Sequence, residues 1–246
     1  MTVVADYTLA LQNQSDWIPY LIRESRLPGP RANLELAYAT ARCANLAQAQ
    51  SLLETDTPAY LDQSPETFPV LCGWIALGKF AGGSPAIRAR LRSAASDPRW
   101  RVREAVAMGL QAWGRLDFDS LHDELTGWAD GCPCEQRAAA AALCEPDLLN
   151  SLERASLVLA LLDQITAVHA ERMDPKADGG EVLKKGLSYC WSVAVAANPD
   201  RGKRLMEKWM IHPSIEILRI MRENLTKKRL EKMDSVWVIR WRAILS

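Results

Sequence analysis

Arginine and tryptophan are interleaved in this chain at spacings that could bind nucleic acid. Arg88 and Arg92 lie one helical turn apart, as do Arg99 and Arg103, and Trp100 follows Arg99 directly. Guanidinium groups hold phosphates through paired hydrogen bonds, and an indole ring can stack on a base. The spacing therefore predicts a candidate phosphate-binding cluster on two successive helices.

A second basic stretch lies near the C-terminus, where Arg219 and Arg222 fall on one stripe of a predicted helix. Residues 201–246 hold 12 Lys and Arg against 5 Asp and Glu, whereas residues 1–200 hold 18 against 25. Such asymmetry is typical of an end that binds polyanions. It is equally typical of two ends that are differently solvated or that pair with each other.

The same residues have structural interpretations. Trp113, at helical spacing, is predicted to pack in the core, and Trp100 fits packing and ligand contact equally well. The isoelectric point of about 6.8 is low for a protein that binds duplex DNA by neutralising phosphates.

The sequence contains no specific catalytic motif. It has no Gly-x-Ser-x-Gly elbow, no phosphate-binding Gly-x-x-x-x-Gly-Lys loop, no Gly-x-Gly-x-x-Gly and no His-Glu-x-x-His. Its three histidines are widely separated, and Cys132-Pro133-Cys134 lacks zinc-site spacing and instead predicts the entry turn of a helix. We therefore expect no metal and no cofactor, and the sequence identifies no catalytic residue. The six cysteines are typical of unpaired thiols in a reducing compartment.

Helical periodicity runs through the chain, strand signals are nearly missing, and prolines precede many of the apolar segments. Residues 36–46, 70–77, 102–110 and 136–143 are Ala- and Leu-rich, and their last leucines are spaced by 31, 33 and 33 residues. A long helix over 152–173, a loop over 173–180, helices over 182–197, 203–210 and 214–232, and a tail helix over 237–245 follow. This pattern predicts an all-α chain of stacked helix pairs.

The segment over residues 97–114 is the most informative of these. Asp97 is a predicted N-cap, Pro98 fits the first turn and Gly114 fits the stop. One predicted face holds Val102, Ala105, Val106, Gly109, Ala112 and Trp113, and another holds Arg101, Glu104, Met108, Gln111 and Arg115. The small residues of the first face predict a helix that approaches its neighbours closely.

This segment resembles the second helix of a HEAT repeat, through Asp97, Pro98, Val102, Arg103, Leu110 and either Ala105 or Ala107. The resemblance implies a single domain over residues 1–246, built as a right-handed α-α superhelix of HEAT-like antiparallel helix pairs. Neighbouring segments match weakly, and their spacing is shorter than the ~40–47 residues of usual HEAT units. Atypical repeats are therefore expected.

Two functions follow from this resemblance. The first is a non-catalytic scaffold whose concave face binds a protein partner. The alternative is DNA binding or DNA repair, because the chain is similar to bacterial alkylpurine DNA glycosylases built from HEAT-like repeats. That similarity implies roles at the nucleotide or on phosphates for Trp100, Trp113, Asp117, Arg99, Arg103 and Arg219. We expect a cytoplasmic protein without a secretory signal or a membrane span.

Overall fold

All regular elements in residues 3–57, 59–172 and 179–246, which the computed structural model describes, are α-helices. The all-α prediction is confirmed. No helix in these residues combines the length and the apolar character needed to cross a bilayer.

The chain divides into two compact units. The first, Met1–Asp117, contains seven helices among its described residues: α1 Val3–Gln12, α2 Trp17–Glu24, α3 Leu34–Cys43, α4 Leu46–Glu54, α5 Thr67–Gly78, α6 Pro85–Ala94 and α7 Trp100–Leu116. The second, Phe118–Ser246, contains eight: α8 Phe118–Thr126, α9 Pro133–Leu143, α10 Leu152–Glu171, α11 Gly180–Ala197, α12 Pro199–Met210, α13 Ile215–Leu225, α14 Lys228–Met233 and α15 Ser235–Leu245.

Within each unit, the odd-numbered helices pack against one another in succession. In the first unit α1 contacts α3, α3 contacts α5 and α5 contacts α7, while α2, α4 and α6 also pack on α5. In the second unit α9, α11, α13 and α15 form the corresponding succession. Stacked helix pairs would give such a succession of contacts. The HEAT identity of the pairs, the right-handed superhelix and the single domain remain predictions.

The helix starts follow ordinary capping chemistry. Ser84, Ser151 and Asn198 each accept a hydrogen bond from a backbone N–H in the first turn of the helix that follows. Proline occupies the first turn of α6, α9 and α12, where no hydrogen bond is lost. Proline-led starts are therefore confirmed for these three helices, including the start of α9 at Pro133 directly after Cys132.

Several predicted helix boundaries were wrong. The helix expected over 36–46 ends at Cys43, because Asn45 and Gln48 form a capping box that begins α4. The helix expected over 214–232 is divided into α13 and α14. Gly114 does not end α7, which continues to Leu116. The predicted end of α10 at 173 and residues 173–178 of the predicted loop lie outside the described residues.

The core of the first unit includes the predicted face of α7. Val102 and Val106 are fully buried and Trp113 is nearly so, which confirms that this face packs inward. Arg101, Met108 and Gln111, on the face predicted to be separate from it, are also buried. The helix is thus enclosed on more sides than its amphipathic pattern suggests.

Two glycines allow α5 and α7 to cross at close range. A Cβ added at Gly78 would overlap the carbonyl group of Gly109, and a Cβ added at Gly109 would lie 2.6 Å from the carbonyl oxygen of Trp74. Backbone atoms cannot give way as side-chain ends can. The predicted close approach of α7 to a neighbour is confirmed at this crossing.

Gly78→Ala is therefore expected to destabilise the protein, although alanine is ordinarily the better helix former by about 0.5–1 kcal/mol. Forcing the two helices apart should lower the free energy of unfolding by about 2–3 kcal/mol. Gly83→Ala is the matched control, because nothing lies within 4 Å of a Cβ at Gly83. Urea unfolding followed by circular dichroism measures both, and equal stability of the two variants would contradict the close crossing.

Candidate functional site

An open groove of about 670 Å³ lies in the first unit, between the loop that joins α4 to α5 and the loop that joins α6 to α7. We call it the loop groove. Its lining residues are Asp56, Thr57, Tyr60, Leu61, Asp62, Gln63, Asp97, Pro98 and Arg99. Three carboxylates and one guanidinium group are therefore among the groups around it.

The guanidinium group of Arg99 is bound by two of these carboxylates. Its Nη1 and Nη2 donate to the two carboxylate oxygens of Asp56 at 2.6 and 2.8 Å. Its Nε and Nη2 donate to the carboxylate of Asp97 at 2.9 and 2.8 Å. These hydrogen bonds raise the pKa of Arg99 above its usual value. These bonds use four of the five N–H donors of Arg99, so the group has little capacity left for a phosphate.

The N-terminus of α7 is also occupied. Its N-cap residue is Arg99, which provides no side-chain cap, so the prediction of Asp97 as N-cap was wrong. Asp97 instead accepts from the backbone N–H of Arg99. The carboxylate of Asp62 accepts from the backbone N–H of Arg101 at 2.9 Å and of Trp100 at 3.3 Å. The first turn of α7, where an anion would bind, therefore holds a carboxylate of the chain itself.

Arg101 holds the neighbouring loops against α7. Its residue surface is only 3% exposed. Its guanidinium group donates to the backbone carbonyls of Asp62 and Gly29 and to the side-chain oxygen of Gln63, the last at 3.5 Å. Burial lowers the pKa of Arg101, and the negative charge of Asp62 opposes this shift. One side chain thus joins the loop after α2, the loop after α4 and the first turn of α7.

Trp100 is the exposed member of this segment. It is 44% exposed, and the guanidinium carbon of Arg101 lies 4.4 Å from the centroid of its ring. The indole therefore covers one face of a buried cation. This contact gives Trp100 a structural role while part of its surface stays accessible.

Two other predicted arginines of this cluster also contact the backbone of their own unit. Arg103 donates to the carbonyls of Asp97 and Pro98 at 2.6 and 2.8 Å. Arg88 donates to two carbonyls in the loop after α5, at 3.2 and 3.1 Å. Arg92 is half-buried on α6. Proximity in sequence therefore does not produce a set of guanidinium groups directed at one ligand.

The two predicted C-terminal arginines differ from these. Arg219 and Arg222 lie on α13 of the second unit, both are exposed, and neither forms an ion pair within the described part of the chain.

The residues suggested by the glycosylase resemblance differ in their solvent exposure. Asp117 is exposed just after α7, whereas Trp113 is 2% exposed and packs in the core. A buried indole cannot stack on a base without a rearrangement of that core.

The described residues contain no group of three His, Cys, Asp or Glu side chains that could hold a metal ion. The six cysteines are present as thiols, and Cys72, Cys144 and Cys190 are buried. The chemistry of the loop groove is that of its carboxylate acceptors, the phenol of Tyr60 and the apolar surface of Leu61. Such a set attracts and packs against a ligand with cationic and apolar parts.

Arg101→Ala should lower the free energy of unfolding by about 2–4 kcal/mol, because buried carbonyl groups lose charge-assisted donors. Arg90→Ala is the matched control. Arg90 is exposed on the neighbouring α6, and its guanidinium carbon lies 5.8 Å from the ring centroid of Trp74, so its loss should cost less than about 1 kcal/mol. Chemical denaturation measures both variants, and similar small losses would show that Arg101 does not hold the loops.

Comparison with known proteins gives no relative from which to transfer a function. No protein-family model matches the chain, and neither the curated proteins nor the solved structures contain a significant match. The geometry and charge of the site itself are therefore the basis for a function.

Proposed function

We propose that this chain is a non-catalytic helical scaffold that binds a protein partner. The loop groove is the binding site, and a cationic, partly apolar segment of the partner is its ligand. The observation that carries this proposal is the balance of charge in the groove. Three carboxylates line it, and its guanidinium group, on Arg99, is already bound by Asp56 and Asp97. The net negative charge favours a lysine or arginine of a partner and repels a phosphate.

The groove also offers apolar contact. Leu61 is 69% exposed, Tyr60 is half-buried, and the pyrrolidine ring of Pro98 lies in the same lining. A volume of about 670 Å³ falls in the range of sites that hold several side chains or a small ligand. Apolar contact would supply binding energy, and the carboxylates would supply orientation.

Support for a protein over a nucleic acid comes from the first turn of α7. A free helix N-terminus is a ready site for a backbone phosphate. Here Asp62 fills that position, and Arg99 and Arg101 bind internal acceptors. The segment that resembles a phosphate-binding cluster in sequence therefore has its strongest donors directed into the protein.

Two further properties are proposed for the scaffold, the type of its helix pairs and its location in the cell. We propose that the stacked helix pairs are HEAT-like repeats, since alternate helices pack in succession within each unit. We also propose a cytoplasmic location, because six cysteines present as thiols, three of them buried, suit a reducing compartment.

Peptide binding tests the site. Two fluorescent peptides of equal length serve as probes, one alternating Lys with Leu and the other alternating Glu with Leu. The Lys peptide should bind more tightly, and its affinity should fall as salt is added. Leu61→Ser should weaken binding of the Lys peptide roughly tenfold, because a leucine contributes about 1.5–3 kcal/mol when it is buried. Fluorescence anisotropy measures each affinity.

Leu116→Ser is the control for this substitution. Leu116 is also 69% exposed and lies in the same unit, but it is not part of the groove lining. This variant should bind the Lys peptide as the native protein does. Equal binding of the Lys and Glu peptides, or equal effects of the two leucine substitutions, would show that the loop groove is not the binding site.

DNA binding or DNA repair is the second candidate function, and one observation favours it. Arg219 and Arg222 are exposed on one helix without an ion-pair partner among the described residues. Lys228 and Lys232, on the following α14, add exposed positive charge to the same stretch of chain. A phosphate backbone would bind such a surface through counterion release.

A duplex-binding titration separates the two candidates. As a protein-binding scaffold, the native chain should bind a fluorescent 20-base-pair DNA negligibly at ~150 mM salt. DNA recognition through α13 would instead give tight binding, and Arg219→Ala combined with Arg222→Ala would then lower the slope of log affinity against log salt by roughly two. Tight duplex binding with that change in slope would favour the DNA function over the scaffold.

A further inference from the structure

A second cavity lies in the second unit, bounded by the loop after α9, the C-terminal part of α11 and α14. Its volume is about 350 Å³, and we call it the Arg229 cavity. Its lining residues are Pro146, Leu149, Val193, Ala196, Ala197 and Arg229. Apolar side chains and a single guanidinium group thus form the described wall, which contrasts with the carboxylate-lined loop groove.

Arg229 is held in a defined orientation. Its Nη2 donates to the phenol oxygen of Tyr189 at 2.6 Å, and its guanidinium carbon lies 4.4 Å from the centroid of the same ring. Burial raises the pKa of the Cys144 thiol, its hydrogen bond with Cys190 raises it further, and the positive charge of Arg229 opposes this shift. The guanidinium group, which lines the cavity, is therefore held against the ring and the hydroxyl group of Tyr189.

Arg229 has no carboxylate partner among the described residues. Arg99, in the first unit, binds two carboxylates in bidentate fashion. A guanidinium group carries five N–H donors in one plane, and the bond to Tyr189 uses one of them. A half-buried cation beside apolar walls is less screened by water than a cation on the open surface. The remaining donors of Arg229 can hold a planar anion.

We propose that the Arg229 cavity binds a small amphipathic monocarboxylic acid. The carboxylate accepts two parallel hydrogen bonds from Arg229, and the aliphatic or aromatic body packs against Leu149, Val193 and Ala197. Charge alone would admit an inorganic anion, but the apolar wall adds affinity only for a ligand with an apolar body. This inference does not depend on the proposed scaffold function, because it concerns a different unit and a different ligand.

Titrations of the full chain with three probes test the ligand class. Hexanoate carries both features, hexanamide has a similar body without charge, and inorganic phosphate has charge without an apolar body. Binding can be followed by chemical shifts of the Ala196 and Ala197 amides. Hexanoate should bind at least roughly tenfold more tightly than either of the others, because a charge-assisted bidentate pair and apolar burial each contribute about tenfold or more. Equal affinities for hexanoate and hexanamide, or for hexanoate and phosphate, would overturn the proposal.

Two variants test the residues. Arg229→Gln should weaken hexanoate binding by roughly tenfold or more through loss of the charge. Ala197→Leu should weaken it similarly by filling the cavity while Arg229 and Tyr189 remain. Arg222→Gln is the control, because Arg222 is exposed and does not line the cavity. Hexanoate affinity unchanged in Ala197→Leu, or lowered equally by Arg222→Gln, would overturn the proposal even if Arg229→Gln failed to fold.

Discussion

The first unit depends on a reciprocal interaction between Asp62 and the first turn of α7. The carboxylate of Asp62 accepts from the backbone N–H of Arg101, and the carbonyl of Asp62 accepts from the side chain of the same arginine. Arg101 also reaches Gly29, so two loops are fixed to one helix end. This attachment positions the residues that line the loop groove, and it neutralises the helix end with a charge from within the chain.

The role of each arginine follows from the acceptors that the fold brings to it. Arg99 and Arg101 bind internal acceptors and therefore stabilise the first unit. Arg229 contacts a phenol and an apolar cavity, and in the described structure no carboxylate neutralises it. The guanidinium groups of Arg99 and Arg101 are thus structural links in the first unit, whereas that of Arg229 is a candidate anion site in the second. Composition alone cannot distinguish these cases, because both depend on contacts between residues far apart in sequence.

Much of the fold was predictable because it is encoded locally. Helical periodicity and prolines placed most of the helices, and the small residues of α7 predicted the crossing that Gly109 makes with α5. The break before α4 was missed although its signal, Asn45 three residues before Gln48, is local. The cap from Asp62 could not be predicted, because it comes from 38 residues before Trp100. The burial of Arg101 could not be predicted for the same reason, because its acceptors lie on two loops that are distant from it in sequence.

Amide hydrogen exchange at Arg101 tests directly whether the carboxylate of Asp62 caps the first turn of α7. The backbone N–H groups in the first turn of a helix ordinarily have no intrahelical partner, so they exchange readily when no side chain caps them. The Arg101 amide should be protected in the native protein and should lose that protection in Asp62→Ala, while amides in the middle of α7 keep theirs. Rapid exchange at Arg101 in the native protein, or protection unchanged by Asp62→Ala, would contradict the internal occupation of this helix end.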